Sequence, residues 1–295
     1  MQLLDGKKLS KDIKQELKEA VAKIVAEGKR PPHLVAILVG DNGASRTYVK
    51  SKMRACNFVG FWHGTIQLPA TISQEELVEE IEKCNADPEI DGILVQLPLP
   101  KHIDSATIIE AISPKKDVDG FHPLNLGLMA RNLPCPLPAT PAGILEMMKR
   151  YNVPTKGKHC VVIGRSHIVG SPMSMLMARN TYPGNCTVTL THRHTPPEEL
   201  KRLTKLADIV IVAVGIPGFV TADMVKEGAT IIDVGITRVE DASKKRGYSI
   251  KGDVDFEGVK EKVGFLTPVP GGVGPMTVGM LLTNTLRLYE RYAQN

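Results

Sequence analysis

The chain has 295 residues, enough for two ordinary domains or one large α/β unit, and a hydrophobic fraction of 42% that fits a globular protein. No stretch has the apolar length of a membrane span, and a formal charge of +5 reads as Lys-rich solubility rather than a nucleic-acid footprint. Five cysteines (Cys56, Cys84, Cys135, Cys160, Cys186) are widely spaced, odd in number and without a Cys-x-x-Cys pair, so they read as idle thiols of a reducing compartment, with no metal site expected.

Met1 to Lys8 shows no apolar core followed by small cleavage residues, so the expected location is the cytoplasm. Ser10 to Lys29 has the spacing of an amphipathic helix, with Leu17, Val21, Ile24 and Val25 on one face. His33 to Gly40 is an apolar run of strand length stopped by Gly40-Asp41-Asn42-Gly43. A helix over 44–59, a strand near 64–68, a helix capped by Ser73 through Asn85 and a strand over 92–96 follow. Alternation of this kind predicts a parallel sheet.

Asp117 to Pro141 is rich in Pro, Gly and Asn and marks a connection between domains. The second half repeats the alternation: a helix over 142–151, strands over 158–164, 187–191, 209–214 and 230–234, and helices over 197–206 and 222–227. A last helix over 275–292 can pack back on the first domain. The expectation is therefore an α/β protein with two parallel-rich sheets flanked by helices, the C-terminal one Rossmann-like. Its domains are 1–140 plus 275–295 and 141–274.

Gly164-Arg165-Ser166-His167-Ile168-Val169-Gly170 stands between a strand and a helix, the context of a dinucleotide fingerprint. Gly164 permits the tight turn, but Ser166 occupies the place of the second glycine. A bare strand-to-helix turn would look similar. Arg193, just past a strand, falls where residues meeting an adenosine ribose lie, and with Arg165 it offers charge to a 2′-phosphate. That favours NADP over NAD, although His192-Arg193-His194-Thr195 also reads as a solvated turn. Asp233-Val234-Gly235-Ile236 ends a strand where nicotinamide can lie.

Tyr48 and Lys52 are four apart on a helix and share a face. Taken alone, such a Lys is most often a surface residue. Gln96 ends a strand, at the carboxyl edge where open α/β sheets bind ligands. Asp117-Val118-Asp119-Gly120 offers a carboxylate in the connection, or simply a turn cap. Thr267 to Thr277 combines three glycines with three prolines in a loop suited to a planar ligand, or to a rigid hinge between domains.

Together these segments resemble the methylenetetrahydrofolate dehydrogenase/cyclohydrolase family along nearly the whole chain. The resemblance is carried by Tyr48-Val49-Lys50-Ser51-Lys52, Val95-Gln96-Leu97-Pro98-Leu99-Pro100, Lys116-Asp117-Val118-Asp119-Gly120, Pro138-Ala139-Thr140-Pro141, Gly164-Arg165-Ser166 and Pro268 through Thr277. It implies a cleft between the domains, a tetrahydrofolate derivative as substrate, and a homodimer joined through the nucleotide domains. It further implies that Lys52 is the catalytic amine, Tyr48 packs on or hydrogen-bonds the folate, Gln96 orients Lys52, and Asp119 binds the pteridine. Val95, Leu97, Pro270, Gly271, Gly272, Val273 and Gly274 would line the folate, and Gly164, Arg165, Ser166, Arg193 and Ile236 would contact the dinucleotide. Some NAD-using relatives recruit magnesium and phosphate with an acidic residue where Asn185 stands here, which again favours NADP.

On this reading 5,10-methylene-tetrahydrofolate loses hydride to NADP, and water then converts the methenyl cation to 10-formyl-tetrahydrofolate. A lysine of lowered pKa would accept the proton. Two other classes fit the bare sequence pattern: another NADP-dependent dehydrogenase, of shikimate or amino-acid type, and a non-catalytic dinucleotide sensor.

Overall fold

In a computed structural model, which describes residues 1–244 and 247–293, the chain divides into two compact units. One comprises Lys11–Ala139 and the residues from Val278 onward; the other comprises Met1–Ser10 and Thr140–Thr277. The elements in chain order are β1 (Gln2–Leu3), α1 (Gly6–Ala26), β2 (His33–Val39), α2 (Gly43–Val59), β3 (Trp62–Leu68), α3 (Gln74–Ala86), β4 (Gly92–Val95), α4 (Ser105–Ala111), α5 (Pro123–Ala130) and α6 (Ala139–Arg150). They continue with β5 (His159–Ile163), α7 (Gly170–Ala178), β6 (Thr187–Thr191), α8 (Pro197–Leu206), β7 (Ile209–Val212), β8 (Thr230–Asp233), β9 (Thr237–Glu240), β10 (Tyr248–Lys251), α9 (Phe256–Val259), β11 (Phe265–Leu266) and α10 (Val273–Tyr292).

In the unit of Lys11–Ala139, β2 is the middle of a parallel sheet ordered β3-β2-β4. Covered on both faces, it reads as a continuous apolar run, Leu34 through Val39, each side chain buried. The edge strand β3 instead alternates exposed and half-buried positions. Val35, Ile37, Ile93 and Val95 pack with Leu77 and Ile81 of α3, whose start is fixed by a capping box between Ser73 and Glu76. Beyond β4 an isolated parallel bridge, Ile93↔Asp117, lays the segment 117–119 beside the end of that strand. Gly92 is needed at this crossing, because a Cβ there would collide with the Val118 side chain.

The other unit holds a six-stranded sheet in the order β1-β11-β8-β7-β5-β6, every pair parallel. Its central strands β5, β7 and β8 are buried almost throughout, and their apolar residues pack against Leu200 of α8 and against Val220, Val254 and Val259. Chain connection reverses direction at β5, which is flanked by β6 and β7, so the switch point opens at the carboxyl ends of β5 and β7. The antiparallel hairpin β9–β10 stands apart from this sheet.

Several expectations are corrected. Met1–Ser10, placed with the first domain by sequence, belongs to the nucleotide-type unit because β1 pairs with β11 through Gln2↔Phe265 and Leu3↔Leu266. A two-residue strand carries no legible period. Val25 is 49% exposed, at the outer margin of the buried stripe of Leu17, Val21 and Ile24. The helix expected over 222–227 is a 3₁₀ turn at Ala222–Met224. The connection 117–141 contains a helix, α5, with Pro123 at its first turn and the His122 ring accepting from the Leu124 amide. Among the described residues no helix is long and apolar enough to cross a membrane.

Candidate active site and nucleotide pocket

Helix α2 carries Tyr48, Lys52 and Cys56 at successive i, i+4 positions, so the three share one face. Lys52 is only 6% exposed, which removes the reading of an ordinary surface lysine. Its Nζ donates to Gln96 Oε1 at 3.1 Å and lies 5.8 Å from the centroid of the Tyr48 ring. Gln96 follows β4 directly, its backbone amide donating to the Ile37 carbonyl. Its side-chain nitrogen donates to the Leu97 carbonyl at 2.6 Å, which turns the amide oxygen toward Lys52. Val95 is buried as the last residue of β4, Gln96 and Leu97 are half-buried, and the Leu97–Pro98 bond is cis.

The two carboxylates of the 117–120 motif have separate tasks. Asp117 shapes the turn, accepting from the amides of Gly120 and His122 and from Asn125 Nδ2. Asp119 makes no such cap and interacts electrostatically with Lys52. Burial raises the Asp119 carboxyl to about 6, with the Lys52 charge opposing that shift and Asp117 adding to it. Burial likewise lowers the Lys52 amine from its ordinary value, outweighing the attraction of Asp119. Desolvation also pushes the Cys56 thiol up to about 12, so a neutral sulfur lies next to the amine.

Asn284 of α10 is a residue that sequence reasoning missed. It is 2% exposed, and its Nδ2 donates at 2.9 Å to both Val118 O and Leu137 O, fixing the two backbone segments that bracket Asp119. A polar residue inside an otherwise apolar helix face was the available signal.

The loop 270–274 belongs to the other unit. Val269–Pro270 is cis, Gly271 has φ +112°, and the Gly271 carbonyl accepts from the Lys7 amide at 2.8 Å. Gly272 donates to Pro268 O at 2.8 Å, while Val273 and Gly274 open α10. The loop is thus held by the N-terminal segment, a support invisible to local sequence patterns.

At the switch point a cavity of about 610 Å³ is lined by Gly164, Arg165, Ser166, Arg193, Ala213 and Ile216 among others. Its size falls in the range of small-molecule sites. Gly164 has φ +110°, and a Cβ there would run into the Ala213 carbonyl, so the turn admits glycine alone. Ser166 stands where the second glycine of the fingerprint is missing: its Oγ accepts from the Val169 amide at 3.2 Å and holds the turn that leads into α7. His192 also lines the cavity, and Arg193 Nε lies 3.2 Å from His194 Nε2. Apolar walls, a helix start and two guanidinium groups suit a dinucleotide carrying phosphates.

Ile236 lies outside this cavity, 54% exposed, just after β8. Asn185, with φ +56°, donates from Nδ2 to the Thr181 carbonyl and serves a turn. Among the described residues no group of three or more His, Cys, Asp or Glu is placed to hold a metal ion.

Residues 4–119 match the family described as tetrahydrofolate dehydrogenase/cyclohydrolase, catalytic domain, and residues 138–293 match its NAD(P)-binding domain. The bifunctional protein FolD of Flavobacterium johnsoniae is 61% identical over 286 residues, 97% of this chain and 96% of the relative. The crystal structure of the Campylobacter jejuni bifunctional FolD methylenetetrahydrofolate dehydrogenase/cyclohydrolase superposes with a TM-score of 0.92 at 46% identity, covering 99% of each chain. That of the Trypanosoma brucei methylenetetrahydrofolate dehydrogenase-cyclohydrolase, complexed with NADP cofactor and inhibitor, gives 0.93 at 39% identity and covers 99% of this chain and 98% of that one.

Proposed function

Because the chain belongs to the tetrahydrofolate dehydrogenase/cyclohydrolase family, we propose that it oxidises 5,10-methylene-tetrahydrofolate with NADP and hydrolyses the resulting methenyl compound to 10-formyl-tetrahydrofolate, a step of one-carbon metabolism. The observation that carries this reading is the buried Lys52 amine, hydrogen-bonded to Gln96 and interacting with Asp119.

Gly164, Arg165, Ser166 and Arg193, with Ile236, would hold the dinucleotide, which would supply the hydride acceptor. The protein's part in the first step is orientation, worth on the order of 7 kcal/mol or more when reacting groups are well aligned. Tyr48 packs against the folate, Val95 and Leu97 flank it, and the Asp119 carboxylate accepts from pterin N–H groups.

In the second step a water oxygen attacks the methenyl carbon and must shed a proton. Neutral Lys52 accepts it at Nζ, and two features favour the neutral form: the burial already present and the positive charge of the methenyl substrate. Gln96 orients the amine without adding charge, and the methenyl carbon is electrophilic enough to need no metal.

A homodimer through the nucleotide-type unit accords with the open edge strand β6 and the exposed Met175, Tyr182 and Leu190 of that unit. A reducing, cytoplasmic setting accords with five cysteines that form no disulfide among the described residues. To test the activity, methylene-tetrahydrofolate is supplied with NADP or NAD, and reduced-nicotinamide absorbance and methenyl absorbance are followed together. Reduction of NADP with transient methenyl compound is expected; absence of both signals would overturn the reading.

A further inference from the structure

Two carboxylates that the mechanism does not use are buried at the carboxyl edge of the six-stranded sheet: Asp233 is 4% exposed and Asp253 is fully buried. Among the described residues no lysine or arginine is hydrogen-bonded to either; backbone amides bind them instead. Asp233 accepts from Gly235, Asp253 and Val254, at 2.9, 2.9 and 3.0 Å. Asp253 Oδ2 accepts from Val214 and Gly215, at 2.7 and 2.9 Å. The other oxygen, Asp253 Oδ1, is buried and has no hydrogen-bond partner among the described residues.

Such an arrangement is costly for a purely structural group, because a buried acceptor left unpaired loses its hydration for nothing. Its location supplies a use. Oδ1 lies against Gly235, where a Cβ would collide with it, and Gly235 precedes Ile236. The amides held by Oδ2 begin the loop whose Val214 and Ile216 line the nucleotide cavity. Gly252, where a Cβ would collide with Asp233 Oδ2, brings the second carboxylate equally close to the backbone. The loops after β7 and β8 are thereby tied to one pair of buried carboxyl groups.

We infer that Asp253, seated with Asp233 behind the loops after β7 and β8, is a positioning residue that also biases the site toward the oxidised, cationic nicotinamide over the neutral reduced ring. The inference rests on the NADP reading above. At an effective dielectric of about 20, a full charge within about 10 Å changes the affinity of a cation by about ten-fold or more. A residue that merely braced the loops would weaken both cofactor forms together.

The test is calorimetric titration of the unaltered protein and its Asp253→Asn variant with NADP+ and with NADPH. The expected result is that Asp253→Asn weakens NADP+ about ten-fold more than NADPH. An unchanged ratio of the two dissociation constants overturns the inference, whether both affinities fall or neither does. If the variant does not fold, the unaltered protein is titrated with NADP+ and with its benzamide analogue, a neutral ring of the same shape. Tighter binding of NADP+ by about ten-fold is then expected, and equal affinity overturns the inference. Failure of the unaltered protein to bind either NADP+ or NADPH would instead remove the cofactor reading, and this inference with it.

Discussion

The amine of Lys52 and the amide oxygen of Gln96 stand 3.1 Å apart, joined from a helix and a strand end 44 residues distant in sequence. The Leu97 carbonyl occupies the other end of the Gln96 amide, so Gln96 presents an acceptor and no charge. Gln96→Ala is expected to leave Lys52 misoriented and to lower methenyl hydrolysis by about 10-fold to 100-fold, within the range that general acid–base groups contribute. Single-turnover hydrolysis measures it, with dinucleotide affinity as the control that should not move.

Two pH effects of known sign follow from burial. The Lys52 amine is lowered, so the neutral base is present below the pH at which an exposed lysine, near 10.4, titrates. The hydrolysis rate should therefore rise with pH and level off below that value.

Asp119 is raised from 3.8 to about 6. Its carboxylate form, the proposed acceptor for pterin donors, is populated as pH rises through that point, so the folate KM should fall between about pH 5 and 7. Asp119→Asn should raise KM and flatten this limb. In the folded chain without substrate the same shift means that the native state holds the proton more tightly between the ordinary value and about 6, so this group's contribution to stability declines as pH rises through that window. Thermal unfolding of the native protein and of Asp119→Asn across that range gives the comparison.

Arg193 lines the nucleotide cavity and adds a guanidinium at its β6 side. Arg193→Ser is expected to raise the KM for NADP by about 10-fold, the loss of one charge-assisted pairing, while changing that for NAD little. Equal changes for the two cofactors would remove the 2′-phosphate role.

Asn284→Ala strips the carbonyls of Val118 and Leu137 of a shared donor. A loss of about 1–3 kcal/mol in stability is expected, read from urea unfolding, together with a weaker folate KM because Asp119 lies between those segments.

Regular elements were legible where burial imposes a period. β2 and β4 are unbroken apolar runs, and the strand Thr187–Thr191 and the helix Pro197–Leu206 fall where spacing and flanking residues put them. The misses share a cause in that long-range partners, not local pattern, create the structure. β1 exists because β11 pairs with it, α5 because Asp117 and His122 organise the turn ahead of it, and the 270–274 loop is held by Lys7.

At the site, the shared face of Tyr48 and Lys52 was readable from spacing, whereas the burial of Lys52 was not. The division of labour between Asp117 and Asp119 was hidden as well, because two carboxylates two apart look alike until one of them binds the turn. Asn284 and Asp253 act on backbone groups far away in sequence, so neither belongs to a local motif.

The most direct measurement is the rate of methenyl-tetrahydrofolate hydrolysis by Lys52→Met, with dinucleotide affinity and thermal unfolding recorded on the same preparation. Loss of the proton acceptor predicts a fall of about 100-fold or more with dinucleotide binding retained. Full turnover by a folded Lys52→Met protein would contradict the account.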